Sequence, residues 1–375
     1  MSEIRVAFDL SSVPHALGGV SRYLLSLAEA LVTAAPERGI EPVLVDVEAA
    51  HPGVPGPGAM CRVVPTPLYM EIPLLRRIPI RRGWEESSRA GRIGRRTGWP
   101  RVYHHSGVQP FNPPGSVSVV TVYDFSALDH PEWHTRDTVS YAGVEEEMLR
   151  SGSYAAAISS WTGHSLSGRL GIPEEMVYAA GGAADDDFSP GDPSPEIMEE
   201  YGLEPFGYLL HVGNFVPRKN IPFLVDVYRE SRKEGMDVTL VLVTEGGWGG
   251  VTVAEGDGVR ILHRVPDVHM PHLYRGARAL LMPSEYEGLG LPVLEAFACG
   301  TPVISSDSAA LKETVGQNGA LIPAGDGRAW LSQLKSLSDP ARIEVLRRMS
   351  ASAHRRRWSD VAEGLCDFYR KIAGR

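Results

Sequence analysis

The chain has 375 residues, more than one typical hydrophobic core holds, so two domains are the first expectation. Its composition, 43% hydrophobic and 22% charged, is ordinary for a globular protein. A formal net charge of −9 disfavours a dedicated nucleic-acid-binding protein.

The cysteines and the apolar runs indicate in which cellular compartment the protein is expected. Cys61, Cys299 and Cys366 lie far apart, without a CxxC pair or a metal-ligand spacing, which is typical of reduced cytosolic thiols. The N-terminus enters the strand-like run IRVAFDL without a charged and apolar leader. No apolar run approaches the roughly 20 residues that span a bilayer. We therefore expect a cytoplasmic protein.

In the first half, short β-branched runs alternate with helical stretches, a pattern that predicts parallel strands joined by crossover helices. The strand candidates are IRVAFDL, EPVLVDV, RVYHHSG, SVVTVYDF and YAAAISS, and GVSRYLLSLAEALVTAAPE has helical periodicity. Gly18 and Gly19 at the start of this helix allow close backbone approach to a phosphate or sugar. They do not form the GxGxxG fingerprint, which disfavours an NAD-dependent oxidoreductase.

A Pro- and Gly-rich stretch, FSPGDPSPEIMEEYGLEPFG, predicts a domain boundary near residues 190 to 205. The alternation then restarts with YLLHVG, IPFLVDVYRESRKEG, VTLVLVT, VRILHR, ARALLMP, PVLEAFAC and TPVISS, and the tail SDVAEGLCDFYRKIAGR reads as an amphipathic helix. We predict α/β domains at residues 1–190 and 205–356. Ligands of such domains bind at the carboxyl ends of the strands, so we expect an active site in a cleft between them.

The stretch SEYEGLGLPVLEAFACGTPVISS places Glu287 and Glu295 on either side of a Gly-Leu-Gly-Leu-Pro turn. Pro292 and Gly300 suit the start and the stop of a short helix, whose N-terminus favours an anion. Carboxylates accept hydrogen bonds from hydroxyls. A nucleotide sugar satisfies this arrangement, with its sugar at Glu287, its diphosphate at the helix and its ribose at Glu295. The alternative reading is a first-turn acid and an unrelated loop carboxylate.

A cationic pair, Arg218-Lys219, follows the predicted strand in LLHVGNFVPRKN. Two cations at the carboxyl end of a strand can hold a diphosphate and stabilise the charge that develops as it leaves. A solvated basic loop is the alternative, because such pairs are common.

Together these motifs resemble the retaining GT-B glycosyltransferases of family 4, a resemblance that covers most of the chain. The resemblance implies two Rossmann-like doubly wound domains facing each other across a cleft, with the last helix, about residues 357–375, packing back on the first domain. It also implies that Glu287 contacts the donor sugar, together with Arg218 and Lys219 as the catalytic set. The remaining donor-binding residues are then Gly18, Gly19, Gly213, Asn214, Val265, Gly288, Leu289, Gly290, Leu291 and Glu295.

Several positions depart from that family. Tyr123-Asp124 stands where many relatives have His-Asp, and GGAADDDFSP replaces the usual Asn-Gly-x-Asp segment. The aspartates at residues 185–187 raise the alternative of a metal site, but the family needs no bound ion, so we expect neither a metal nor a cofactor. The donor, a nucleoside diphosphate sugar, is a substrate.

The implied reaction moves a hexose-type sugar to a hydroxyl acceptor with retention at the anomeric carbon. Except for Asp124, no nucleophile for a carboxylate pair suggests itself, so the leaving phosphate is expected to accept the acceptor's proton. We expect the acceptor, a glycan, a lipid-linked glycan or a small natural product, on the first domain, near QPFNPP (Gln109 to Pro114). The acceptor-binding candidates are Tyr123, Asp124, His104 and Arg22.

The segment Arg76 to Arg101 carries nine Arg against two Glu, with Trp84 and Trp99 between them. Such a segment can dock on an anionic membrane surface from the cytoplasmic side. A solvated loop and an anionic soluble acceptor are the alternatives. The oligomeric state stays open.

Two other functions remain in competition. A nucleotide-sugar 2-epimerase of the same fold is opposed by the EGLGLP core with Arg-Lys. A non-catalytic nucleotide-sugar binding protein is kept open by the Tyr123 substitution.

Overall fold

The computed structural model describes residues 4–10, 18–46, 60–62, 90–91, 94–106 and 112–374. Their contacts divide the chain into two compact units. Unit 1 comprises Met1–Tyr123, Arg136–Gly181 and Trp358–Arg375, and unit 2 comprises Asp124–Thr135 and Gly182–Arg357.

Unit 1 is built on a seven-stranded sheet in which all described pairs are parallel. The strand order is β3-β2-β1-β4-β5-β6-β7, so the direction of winding reverses between β1 and β4. The strands are β1 (Ile4–Asp9), β2 (Ile40–Asp46), β3 (Met60–Arg62), β4 (Val102–His105), β5 (Val117–Val122), β6 (Tyr154–Ala157) and β7 (Val177–Ala179).

Unit 2 is built on a six-stranded parallel sheet, ordered β10-β9-β8-β11-β12-β13, with its reversal between β8 and β11. Its strands are β8 (Tyr208–Val212), β9 (Thr239–Thr244), β10 (Val259–His263), β11 (Ala279–Met282), β12 (Val303–Ser306) and β13 (Ala320–Ile322). Two doubly wound parallel sheets are the architecture that the sequence predicts.

Most of the helices lie between consecutive strands, and the last three follow the final strand. In chain order, those of the described residues are α1 (Gly19–Ala34), α2 (Ser126–Asp129), α3 (Arg136–Arg150), α4 (Ser160–Leu170), α5 (Pro195–Glu200), α6 (Ile221–Lys233), α7 (Met270–Gly276), α8 (Leu291–Cys299), α9 (Leu311–Val315), α10 (Gly327–Ser336), α11 (Pro340–Ala351) and α12 (Trp358–Ala373).

The core of unit 2 lies on both faces of its sheet, because side chains alternate along a strand. Leu210 joins the apolar cluster that contains residues of α7 and α8. Its neighbour Leu209 joins the cluster of α6 and α10, which includes the fully buried Trp330. This burial on both faces explains why the strands read as continuous apolar runs.

In unit 1, the last helix packs on the first. The apolar face of α12 is buried, and the rings of Trp358 and Tyr23 meet edge to face at 5.2 Å. On the surface, Arg38 donates to the carboxylates of Asp367 and Glu363. The chain therefore returns to unit 1 after completing unit 2, as the resemblance implies.

The division of the chain differs from the predicted boundaries at two places. The contact boundary falls at residues 181 and 182, ahead of the Pro- and Gly-rich stretch, because Phe188 and Met198 pack in the unit 2 core. In addition, Asp124–Thr135 belongs to unit 2, although it follows a strand of unit 1. A Pro- and Gly-rich composition indicates irregular backbone, but it does not indicate which unit's core the side chains of that segment join.

Candidate functional site

The candidate site lies where β8 and β11 end at the reversal point of the unit 2 sheet. In doubly wound sheets the loops after these two strands leave in opposite directions and open a crevice for a ligand. Here the two loops are Gly213–Asn220, after β8, and Pro283–Gly290, after β11.

The first loop is shaped by a short 3-10 turn, Pro217–Lys219, and by Asn220, whose φ of 53° is left-handed. Asparagine tolerates this conformation better than most residues. The turn carries Arg218 and Lys219 at the strand's carboxyl end, immediately before α6 begins. The chain thus presents two adjacent cations at the mouth of the crevice.

Both cations bind the same carboxylate. Lys219 Nζ donates to Glu287 Oε1, and Arg218 Nη1 donates to Glu287 Oε2 at 2.9 Å. The side chain of Glu287 is 7% exposed, against 10% for Lys219 and 22% for Arg218. The cluster is therefore mostly buried, with the guanidinium nearest to solvent.

The protonation of this cluster follows from its charges. Burial would raise the pKa of the Glu287 carboxyl, but Lys219 and Arg218 outweigh burial and hold the pKa at about 2. Burial lowers the pKa of Lys219, which Glu287 opposes, whereas the pKa of Arg218 is raised because Glu287 and Asp124 outweigh burial. Glu287 is thus an ionised carboxylate at neutral pH.

Hydrogen bonds to backbone groups connect the two loops. Glu285 N donates to Arg218 O at 2.8 Å, and Arg218 Nη1 also donates to Tyr286 O at 3.0 Å. From the other side, Ala310 N donates to Glu287 O at 3.2 Å. The three charged groups are consequently held by the scaffold.

The glycine-leucine turn leads into α8 as predicted. Gly290 has a φ of 88° and caps α8, which runs from Leu291 to Cys299 and ends at the left-handed Gly300. Gly288 and Leu289 are buried, and Thr314 Oγ1 donates to Leu289 O. The turn therefore places the N-terminus of α8 beside Glu287.

Glu295 is buried, unlike a typical solvent-exposed acid in the first turn of a helix. It is 2% exposed, and Tyr274 Oη donates to its Oε2 at 2.6 Å. The ribose contact assigned to Glu295 stays a prediction.

His211 is a buried member of the site that the sequence reasoning missed. Its Nδ1 donates to Leu281 O at 2.8 Å, just beyond the last paired residues of β8 and β11. Its Nε2 is buried without a hydrogen-bond partner in the described part of the chain. Burial lowers the pKa of His211 to about 4, so the ring is neutral at pH 7.

Three further donor-site predictions fall near this cluster or in the core. A Cβ on Gly213 would lie 3.4 Å from both His211 Nε2 and Lys219 Cε, so this glycine is directly beside the lysine stem and the buried imidazole. Asn214 Oδ1 accepts from Glu245 N at 3.3 Å and so ties the loop to the one after β9. Val265, after β10, is buried in the apolar core.

The predicted glycine pair lies in unit 1, at the start of α1. Gly18 caps the helix, its carbonyl accepting from Arg22 N at 2.9 Å, and Gly19 is exposed. A Cβ on either glycine would meet no described atom within 4 Å, so packing does not require glycine there.

His104 was predicted to bind the acceptor, and the structure contradicts this prediction. It is completely buried; its Nδ1 is hydrogen-bonded to Tyr369 Oη and its Nε2 to Thr121 Oγ1 at 2.8 Å. Both ring nitrogens are thus occupied by the packing of α12 on the sheet. Burial lowers the pKa of His104 to about 3.

The Tyr123-Asp124 pair divides between the units. Tyr123 Oη donates to Ser106 O at 2.7 Å in unit 1. Asp124 begins the unit 2 segment and accepts from Ser126 N and Ser126 Oγ at 2.8 and 2.6 Å. Its charge acts on Arg218 and Lys219, which places the carboxylate near the cationic pair.

Two predicted features fall largely outside the described residues. Of Arg76–Arg101, the structure describes 90–91 and 94–101, and of Gln109–Pro114 it describes 112–114. Within the described residues, no three His, Cys, Asp or Glu come together as a metal site. In the same part of the chain, no helix is both long and apolar enough to cross a bilayer.

Residues 207–339, which carry this site, match the family model described as Glycosyl transferases group 1. O-antigen chain mannosyltransferase B of Escherichia coli is 32% identical over 240 residues, which are 61% of this chain and 63% of that protein. The chain spans less than two thirds of the curated relatives that lead this comparison.

The fold is shared with solved GT-B structures. Sucrose-phosphate synthase from Thermosynechococcus elongatus superposes with a TM-score of 0.72 over 99% of both chains at 18% identity. Anabaena HepE, solved in complex with UDP-glucose, gives 0.64 over 99% of both chains at 15% identity. The GT-B fold is therefore confirmed.

Proposed function

We propose that this chain, which carries a domain of the glycosyl transferases group 1 family, transfers a hexose-type sugar from a nucleoside diphosphate sugar to a hydroxyl acceptor with retention. The observation that carries the proposal is the buried ion cluster of Arg218, Lys219 and Glu287 beside the N-terminus of α8.

The cluster suits a diphosphate. Arg218 and Lys219 supply two adjacent cations, and both keep N–H groups beyond those that Glu287 accepts. The N-terminus of α8 adds the positive end of a helix dipole, which favours an anion. Glu287 holds both cations in place before the ligand arrives, which reduces the reorganisation that binding would otherwise require.

The same carboxylate suits the sugar. Each carboxylate oxygen has two lone pairs, so Glu287 can accept from sugar hydroxyls while it keeps its ion pairs. Its low pKa means that it acts as an acceptor and not as an acid near neutral pH. Glu287 therefore positions the sugar.

For the chemical step, we propose that the leaving diphosphate accepts the proton of the acceptor hydroxyl on the same face of the sugar. The new C–O bond forms as the bond from the anomeric carbon to the phosphate breaks, so configuration is retained. Arg218 and Lys219 stabilise the negative charge that develops on the diphosphate. Asp124, near the cationic pair, positions these groups electrostatically.

The test is a pair of measurements on the full chain. A thermal-shift screen against GDP-mannose, UDP-glucose and UDP-N-acetylglucosamine should raise the melting temperature for one donor, since that donor binds the folded state. Turnover of that donor should fall by roughly 10²-fold or more in Lys219→Ala. No shift with any nucleotide sugar would contradict the proposal, and sugar isomerisation without acceptor would favour an epimerase instead.

A further inference from the structure

We propose that Trp248 forms a stacking platform for a hexopyranose ring of the acceptor, so that the acceptor is a saccharide and one of its subsites lies on unit 2. This inference rests on the proposed transfer reaction. It assigns a ligand to a surface that the catalytic cluster does not use.

Trp248 is an exposed aromatic residue held in a fixed position. Its side chain is 43% exposed, yet its indole Nε1 donates to Trp133 O at 3.1 Å. A single exposed tryptophan is ordinary on a protein surface. A tryptophan whose only polar atom is already bonded and whose ring remains open to solvent is a preorganised apolar surface.

The backbone of Trp248 is anchored to the loop that carries the cationic pair. Phe215 N donates to Gly246 O at 2.8 Å, and Trp248 N donates to Phe215 O at 3.1 Å. A Cβ on Gly247 would lie 2.0 Å from Phe215 O, so this close approach requires glycine. Trp248 is thereby tied to a backbone position three residues before Arg218.

The second anchor comes from the segment Asp124–Thr135. Besides Trp133 O, this segment presents Asp129, which accepts from Tyr286 Oη at 3.3 Å, one residue before Glu287. The His130 ring stacks on Trp133 with centroids 3.9 Å apart and 13° between the planes. The platform is therefore connected to both sides of the ion cluster.

A sugar ring fits this chemistry. A pyranose has an apolar C–H face that stacks on an aromatic ring and hydroxyls at its edge that carboxylates accept. Exposed carboxylates flank both residues of the anchoring hydrogen bond in the sequence. Asp129 and Glu132 lie close to Trp133, and Glu245 lies three residues before Trp248.

The sheet order separates this platform from the proposed donor position. The Trp248 loop follows β9, on one side of β8, whereas Glu287 and α8 follow β11, on the other side. The loop of Arg218 and Lys219 lies between them. A sugar on Trp248 would thus lie on the other side of the cationic pair from α8.

The test measures saccharide binding to the full chain by calorimetric titration with mannotriose, maltotriose and N,N′-diacetylchitobiose. We expect at least one to bind the native protein and Trp248→Ala to weaken that binding by roughly tenfold or more, the effect of removing a central aromatic contact. Trp248→Phe, which keeps an aromatic face, should recover part of the affinity. Phe206→Ala, at an exposed aromatic residue elsewhere on unit 2, should bind as the native protein does.

Three results would overturn the inference. These are no binding of any of the three saccharides, unchanged affinity in Trp248→Ala, or an equal loss in Phe206→Ala. Nucleotide binding is measured on the same variants by thermal shift: a selective loss in Trp248→Ala would assign the ring to the donor base and reject the acceptor subsite. Absence of nucleotide-sugar binding to the native protein would instead reject the proposed function, so the two failures are separate.

Discussion

The two units use the reversal points of their sheets differently. In unit 1, both ring nitrogens of His104, at the end of β4, are hydrogen-bonded to the hydroxyls of Tyr369 and Thr121. His104 therefore belongs to the core under α12. In unit 2, His211 near the end of β8 has one bonded nitrogen, and the adjacent loops carry three charged groups. The same topology thus holds a neutral hydrogen-bonded network in one unit and a mostly buried ion cluster in the other.

The largest effect should come from the ion cluster. Glu287→Ala removes the acceptor shared by Arg218 and Lys219 and leaves two poorly solvated cations unpaired. We expect donor turnover to fall by roughly 10²- to 10³-fold and the free energy of unfolding to fall by about 3 kcal/mol, with the variant still folded by circular dichroism. Near-normal turnover would reject a functional role for the cluster.

A structural effect is expected at the unit 1 histidine. His104→Ala leaves a cavity and removes a partner from both Tyr369 and Thr121, so we expect a loss of about 2–4 kcal/mol in urea unfolding. Nucleotide binding by unit 2, measured by titration at a temperature at which the variant is folded, should stay unchanged. A large loss of nucleotide affinity in the folded variant would contradict the assignment of His104 to a purely structural role in unit 1.

His104 and His211, both buried, also predict a pH dependence. Their folded-state pKa values, about 3 for His104 and about 4 for His211, lie below the unfolded value of about 6.5. The unfolded chain therefore binds more protons below pH 6.5, and stability should be full above that pH and fall as the pH drops towards 3. Urea unfolding at pH 8 and pH 5 should show a smaller difference in His104→Gln than in the native protein; an equal difference would assign the effect to other groups.

The smallest effect is expected beside the cluster. Tyr286→Phe removes the 3.3 Å hydrogen bond to Asp129, which is long and accepted by an exposed carboxylate. We expect less than about 1 kcal/mol in stability and a change in turnover of less than about threefold. This variant is a matched control for Glu287→Ala, one residue away; a collapse of turnover would extend the catalytic set to Tyr286.

Much of unit 2 was predictable because its signals are local. The β-branched runs, Pro292 and Gly300 predict the strands and α8. The placement of Glu287 and Glu295 around the turn, with a cationic pair after another strand, predicts a shared ligand. The burial of His104 was not predictable. Alternation along a strand indicates that His104 and the adjacent His105 face opposite sides of the sheet, but not what covers each side. Trp248 stands out in the sequence as a tryptophan among four glycines, but its hydrogen-bond partner Trp133 lies 115 residues away.

By itself, the sequence determined two doubly wound α/β domains and predicted the residue types of a nucleotide-sugar site, since hydrophobic periodicity and helix-end chemistry act over a few residues. The tertiary structure decided which polar groups are buried and which partners they bind. It assigned Asp124–Thr135 to unit 2 and sealed His104 beneath α12. It also paired Glu287 with Arg218 and Lys219. These outcomes depend on contacts between distant segments, which determine burial and hydrogen-bond partners and leave no local trace in the chain.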